Sequence, residues 1–403
     1  MRILLASIYP YAFLLLYLTI PFDAYVRALP NILIGVLVVA FPLVVKKDDF
    51  KKLKRFPVYL FLAFFGYLVL NALIFGRIPE DLNVLKKVLI ALGLVILYLP
   101  VQGIKKISKA IIYSSVAAIL FSVYKIVILV FTNESFGFLD SQKFIEALLI
   151  DRLYLGVLSV LSILVSYQSI TKTYSPQNRY YVANILLNVV FVFFIMSKTA
   201  ISILIVLVIL RQFYAKNKVR QFLAPALIVV ILAVGFSTQS ICQKWFLGHL
   251  PSEIQTVVKP KDIAMRYTIW ECALEVQPTG NEVLTGKGFE GTENALMDCY
   301  ANMHQQERRE HFVKEQFNIH NQYLDIYFSA GIIGVLLFMA FFVITLLKNR
   351  RQFFPTALLI SMVLLGVIES YFHRQIGAYY FGFVLLILII KNNLLENNPE
   401  TEE

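Results

Sequence analysis

NRYYVANILLNVVFVFFIMSKTAISILIVLVILRQFY, residues 178–214, decides the fold. Its apolar part, 180–213, is too long for one helical crossing of a ~30 Å hydrocarbon layer at ~1.5 Å per residue, and it leaves no room for a loop. The chain therefore turns at Ser197-Lys198-Thr199, which makes two abutting spans, near 180–196 and 199–213, with a lysine at the turn. Working outward, similar apolar blocks fall near 3–21, 28–45, 57–75, 84–100, 108–131, 148–170 and 222–236 on one side of a polar stretch, and near 322–347, 353–369 and 376–390 on the other. Backbone groups in lipid must pair within their own segment, so each block is read as a helix.

These readings predict an all-α, polytopic transmembrane bundle of about twelve helices. Residues 1–236 carry spans one to nine, 237–321 form a helical periplasmic loop domain, 322–391 carry the last three spans, and 392–403 are a cytoplasmic tail. With 58% hydrophobic residues and a mean hydropathy of +0.70, the chain cannot solvate its surface as a water-soluble domain would. The first apolar stretch lacks a strongly basic start and a small-residue cleavage site, so it reads as a retained anchor.

The net charge of +11 does not point to nucleic acid, because the basic residues sit in short loops beside span ends. Lys46, Lys47, Lys51, Lys52, Lys54 and Arg55 crowd one loop. Lys105, Lys106 and Lys109 follow two spans later, then Lys172 and Arg179, then Arg211, Lys216, Lys218 and Arg220, and last Lys348, Arg350 and Arg351. All fall on one side, so both termini and the acidic end of the chain are cytoplasmic and 237–321 faces outward, in a bacterial inner membrane. Cys242, Cys272 and Cys299 lie in or at the mouth of that segment. Either one disulfide forms and one thiol remains, or all three stay reduced.

Within the external segment, Arg266, Trp270, Ala273 and Leu274 recur with helical spacing, as in a short amphipathic helix lying on the membrane or against the bundle, stopped by Pro278 and Gly280. Gly286-Lys287-Gly288-Phe289-Glu290-Gly291 lacks the Lys-Ser/Thr ending of a nucleotide loop and reads as a tight turn needing positive φ. The run HQQERREHFVKEQF, 304–317, reads as a solvated helix. His304, His311 and His320 are seven and nine apart, and Glu290, Glu293 and Asp298 are spaced as on an ordinary helix face, so no metal and no other cofactor is expected.

An ionisable group within a span costs about 2.5–3.5 kcal/mol, so each asks for a reason. Lys125 lies inside one span. Arg152, Lys198, Arg266, His320 and Arg374 all fall at the outward ends, with Asp151, Glu369 and His373 beside them. Singly, each cation reads as an interfacial anchor. Four cations and a histidine at one membrane face suit a pyrophosphate carried by a lipid.

These residues resemble the O-antigen ligase and O-antigen polymerase superfamily of lipid-linked glycan transferases. The likeness lies in His320-Asn321-x-x-Leu324 followed by Ala330-Gly331-x-x-Gly334, in MRYTIWECALEVQPTGNEVLTGKGFEG (265–291) with its arginine helix and glycine-rich sequel, and in MSKTAISIL (196–204) at a helix turn. The family shows arginine where this chain has Lys198, which keeps the charge and loses the bidentate fork. The resemblance implies a GT-C-like bundle and an inverting, metal-independent transfer of a glycan from undecaprenyl pyrophosphate. His320 then matches the catalytic histidine, Arg266 the loop arginine and Lys198 the turn arginine; Arg152 and Arg374 are added here from their positions.

Such a reaction needs a base for an acceptor hydroxyl and positive charge for the departing pyrophosphate. A histidine with an ordinary pKa near 6.5 offers a neutral imidazole, and nearby cations favour that form. The expected acceptor is a lipid A core sugar or another glycan. A repeat-unit polymerase and a protein O-oligosaccharyltransferase would share the chemistry, whereas a transporter or flippase would show an internal repeat that the unequal halves of this chain lack.

Overall fold

The computed structural model describes residues 2–23, 25–26, 28–101, 103, 105–132, 148–171, 175–214 and 261–396. Outside them lie the expected ninth span at 222–236, Cys242, the basic residues Lys172, Lys216, Lys218 and Arg220, and the last seven residues of the acidic tail. Among the described residues all regular structure is helical.

The first part holds α1 (Arg2–Thr19), α2 (Leu29–Val44), α3 (Phe56–Ile74), α4 (Ile78–Leu97), α5 (Lys105–Thr132), α6 (Arg152–Ser169), α7 (Asn178–Phe194) and α8 (Lys198–Phe213). Polar-segment helices follow as α9 (Lys261–Glu275), α10 (Glu282–Thr285), α11 (Phe289–Ala301) and α12 (Gln306–Glu315), and the chain returns to apolar helices as α13 (Gln322–Asn349), α14 (Phe353–Ile368) and α15 (Gln375–Glu396). Among the described residues, Leu5–Phe22, Phe56–Ile74, Lys105–Leu129, Arg152–Ser169 and Gln322–Asn349 are long and apolar enough to cross a membrane, and Leu29–Val44 with the turn Lys47–Leu53, bent by 120°, makes a sixth candidate. Shorter apolar helices cover Asn178–Phe194, Phe353–Ile368 and Gln375–Ile389. The protein is thus a multi-pass helical membrane protein.

Two helices add to the sequence reading. Helix α4 begins at Ile78 rather than near 84, because Asp81, an acid that would read as loop, is buried and accepts the backbone N–H of Phe289 at 2.6 Å. In α9 the inward face is Ile269, Cys272 and Ala273, while Trp270 and Leu274 turn outward. The cause is a second, smaller core in which Ile269, Cys272 and Ala273 meet Leu296, Tyr300, Phe312, Ile319 and Phe328. A disulfide between Cys272 and Cys299, with Cα atoms 5.8 Å apart, ties α9 to α11. Helix α12 is solvated apart from Phe312, as its charge predicts.

Inside the bundle, polar groups pair across helices where lipid offers no partner. Asn184 of α7 donates to Ser162 and Ser166 of α6 at 2.9 and 2.8 Å. The Lys125 ammonium lies 5.4 Å from the centre of the Tyr25 ring and 5.8 Å from that of Phe121, which accounts for a charge within an apolar helix.

The glycine-rich turn is a docking device. Gly286 and Gly288 have φ of 73° and 86°, and the Lys287 and Gly288 N–H groups donate to the carbonyls of Phe328 and Ser329 at 2.8 and 2.9 Å. Gly331, with φ of 68°, bends α13 there, and a Cβ at this position would run into the Leu284 carbonyl. Those N–H groups are spent on backbone, so the turn seats α11 against α13 and does not cradle a phosphate.

Candidate functional site

His320 sits between α12 and α13 in a left-handed conformation, φ 50°, that favours glycine. The surroundings hold it there: Asn318 Oδ1 accepts the His320 N–H at 2.9 Å, and Trp270 Nε1 donates to the Ile319 carbonyl at 3.1 Å. The helix cap is Asn321, whose Oδ1 accepts from the N–H groups of Tyr323 and Leu324 at 3.0 and 3.1 Å. Its own N–H donates to Ser370 Oγ at 3.2 Å, and the Phe372 N–H donates to Gln322 Oε1 at 2.9 Å. These bonds fasten the start of α13 to the link between α14 and α15.

As a result Glu369, at the end of α14, lies with Oε2 3.2 Å from His320 Nδ1. A carboxylate only accepts, so Nδ1 is the nitrogen that carries a proton toward Glu369. Burial pushes the Glu369 carboxyl up, but the His320 hydrogen bond and the charges of His320, Arg374 and Arg266 outweigh it and hold the group below the usual carboxylate range. Its Oε1 is buried without a hydrogen-bond partner among the described residues. Sequence reasoning noted Glu369 at the end of a span and missed this pairing, since the two residues are 49 apart.

The cations gather around this pair unequally. Arg266 and Arg374 act on Glu369 by charge. Arg374 also reaches Asp151 at 3.6 Å and lies 5.8 Å from the centre of the Tyr154 ring. Asp151 caps α6, accepting from the Leu153 N–H at 2.9 Å, so Arg152, the first residue of that helix, stands beside the Arg374 partner. Lys198 opens α8, is exposed, and makes no ion pair with a described residue. Its turn, with Met196 at φ 50°, joins the cluster through packing: a Cβ on Gly156 of α6 would meet Ser197 Oγ at 2.5 Å and Ala200 Cβ at 2.7 Å. His320 and Glu369 are therefore brought together directly, Arg266 and Arg374 within charge range of them, Arg152 by adjacency, and Lys198 at one remove.

A second charged group, also unforeseen, lies nearby. His373 Nε2 is 2.9 Å from both carboxylate oxygens of Asp325, and its Nδ1 is 2.9 Å from Glu293 Oε1. Burial pulls this imidazole down, but the two carboxylates push it up to about 10, so it stays protonated at neutral pH. Lys87 Nζ donates to the His373 carbonyl at 2.6 Å. The group clamps α11, α13 and the α14–α15 link together. Asp325, buried in the first turn of an apolar helix, was the readable signal that a partner must exist.

Next to both groups a cleft of about 410 Å³ opens between α4 and α11, with Glu293 and Phe317 among its walls. The Phe317 ring centre is 6.0 Å from that of His320.

Fold and site together define a multi-pass membrane protein with an imidazole–carboxylate pair, within charge range of Arg266 and Arg374, where helix ends meet a disulfide-tied helical unit. Residues 183–339 match the family model described as O-antigen ligase, a match that supports the O-antigen ligase superfamily. The matched stretch includes Lys198, Arg266 and His320, and leaves out Arg152, Glu369 and Arg374. No curated protein matches the chain.

Proposed function

We propose that this protein is an inverting, metal-independent glycosyltransferase that moves a glycan from undecaprenyl pyrophosphate onto a hydroxyl of a lipid A core sugar. The carrying observation is the 3.2 Å contact of His320 Nδ1 with the buried Glu369, within charge reach of Arg266 and Arg374. His320 Nε2 takes the proton of the acceptor hydroxyl as its oxygen bonds to the anomeric carbon of the donor. The bond from that carbon to the pyrophosphate oxygen breaks on the opposite face, its electron pair leaves with the pyrophosphate, and the configuration inverts. Glu369 steadies the imidazolium, as the third group of a catalytic triad does. Arg266, with Arg374, Arg152 and Lys198, takes up the charge growing on the leaving group, where added stabilisation lowers the barrier.

The superfamily match supports glycan transfer of the ligase or polymerase class. The Cys272–Cys299 disulfide supports a periplasmic position for the helical unit, and the lysine- and arginine-rich loops support cytoplasmic termini.

Reconstitution with purified lipid-linked glycan and a core acceptor tests the reading. Transfer is expected from the wild type and should fall about 10²–10⁴-fold in His320→Ala at equal protein abundance; unchanged transfer removes His320 as base. In a deletion strain, loss of capped lipopolysaccharide with long carrier-bound chains supports the ligase, and a cap of one repeat makes the protein a polymerase.

A further inference from the structure

The cleft between α4 and α11 differs in chemistry from the cationic set, although it approaches His320 through Phe317. Its walls carry Glu80, Asn83, Glu290, Asn294, Gln316 and the ring of Phe317, and none of Arg152, Lys198, Arg266 or Arg374 lines it. Carboxylates accept hydrogen bonds, while carboxamides both donate and accept, so this mixture matches groups that do both. Hydroxyls are such groups. A diphosphate, all acceptors and negatively charged, would meet repulsion from Glu80 and Glu290, while the cations nearest the wall are already engaged, His373 by Glu293 and Asp325 and Lys87 by the His373 carbonyl. A metal ion fits no better, since among the described residues no three acidic, histidine or cysteine side chains group as ligands.

Size and placement agree with that chemistry. About 410 Å³ falls within the ~300–1,000 Å³ range of small-molecule sites. Phe317 is shared: its ring forms part of the wall and lies 6.0 Å, centre to centre, from the His320 ring. Half-buried and apolar, it offers a surface for the carbon face of a sugar ring. The helix that carries Glu290 and Asn294 is held on both sides, by Asp81 at its N-terminus and by the His373 clamp through Glu293, so the wall is preformed.

We propose that this cleft is the acceptor subsite: it takes a phosphate-free, polyhydroxylated sugar and presents one hydroxyl to His320, while its carboxylates keep the donor diphosphate on the cationic side. This rests on the glycosyl-transfer reading and adds to it where the acceptor binds and what chemical class it has. Donor and acceptor are thereby sorted by charge on either side of one imidazole.

The test uses the full-length protein in detergent or vesicles and the double variant Glu290→Gln with Asn294→Ala, neither residue belonging to the clamp or to the cationic set. Steady-state transfer should show acceptor KM raised about tenfold and donor KM within about twofold of wild type, the pattern of lost acceptor contacts. Unchanged acceptor KM, or a rise confined to donor KM, overturns the proposal. Binding of dephosphorylated core oligosaccharide, followed by saturation-transfer NMR, needs no turnover and so separates this proposal from the transfer reading. Wild type should bind, the variant should bind at least about fivefold more weakly, and excess inorganic pyrophosphate should not displace the sugar. Equal binding by both proteins, binding by neither, or displacement by pyrophosphate contradicts the subsite even if transfer itself is observed. Retention of the Cys272–Cys299 disulfide in the variant, read by thiol alkylation, shows that the loop unit has folded; if it is lost, Asn83→Ala on α4 is measured against the same outcomes.

Discussion

His320 and His373 lie close together, each bonded to acidic side chains, and the structure makes them opposites. His320 has one carboxylate, on Nδ1, a side chain 19% exposed and an Nε2 without a partner among the described residues. His373 has carboxylates on both nitrogens, a side chain only 7% exposed, and a proton it holds up to about pH 10. One carboxylate engages a single nitrogen and leaves the other open to a reactant; two engage both nitrogens and make the same ring a cation that serves as a strut. The count and placement of acids, rather than the histidine, separates chemistry from architecture at this membrane face.

The contrast can be broken by substitution. The largest expected effect is on rate: Glu369→Gln keeps the shape but removes the charge, and transfer should fall about 10²-fold with little change in thermal stability, measured by reconstituted turnover beside a melting curve. If Glu369 were a strut like Asp325, the melting point would drop and the rate per folded molecule would hold. Conversely, Asp325→Asn leaves a buried imidazolium short of a partner and should cost about 3–5 kcal/mol in unfolding, visible as a lowered Tm in detergent. The rate of the surviving folded fraction should be nearly unchanged.

The pH dependence sharpens the difference further. His373 titrates near 6.5 when unfolded and near 10 when folded, so its contribution is complete below about 6.5 and is lost as pH rises through 10. Tm should therefore decline over that interval in the wild type and stay flatter in His373→Gln. Glu369 runs the other way: its folded carboxyl lies below the ordinary 4.5, so the stability it lends is present above that value and is lost only in stronger acid. The smallest effect is expected at Lys198, one step removed from the cluster, where Lys198→Arg should leave transfer within about threefold of wild type because charge is retained.

Much of the fold was legible because lipid makes the code simple. Apolar runs become helices, and the observed ends of α2, α3, α7 and α8 fall within two residues of the runs at 28–45, 57–75, 180–196 and 199–213. The single lysine in 178–214 marked a turn that the structure puts at Ile195–Ser197. Legibility failed where an ionisable residue is buried by a distant partner. Asp81 looked like loop because its acceptor role depends on the Phe289 N–H, 208 residues away. The His320–Glu369 pair and the His373 clamp failed for the same reason, each being made by segments that meet only when α14 and α15 return to the start of α13. Helical spacing in α9 drew the element but not its inner face, since spacing cannot reveal that Cys272 will be tied to Cys299.

The central claim is that His320 and Glu369 act as one unit, and a double-mutant cycle on transfer rate tests it most directly. Residues that work together give non-additive losses. The double variant His320→Ala with Glu369→Gln should be no slower than His320→Ala alone. If the two losses multiply instead, Glu369 does not work through His320, and the assignment of base and orienting carboxylate fails.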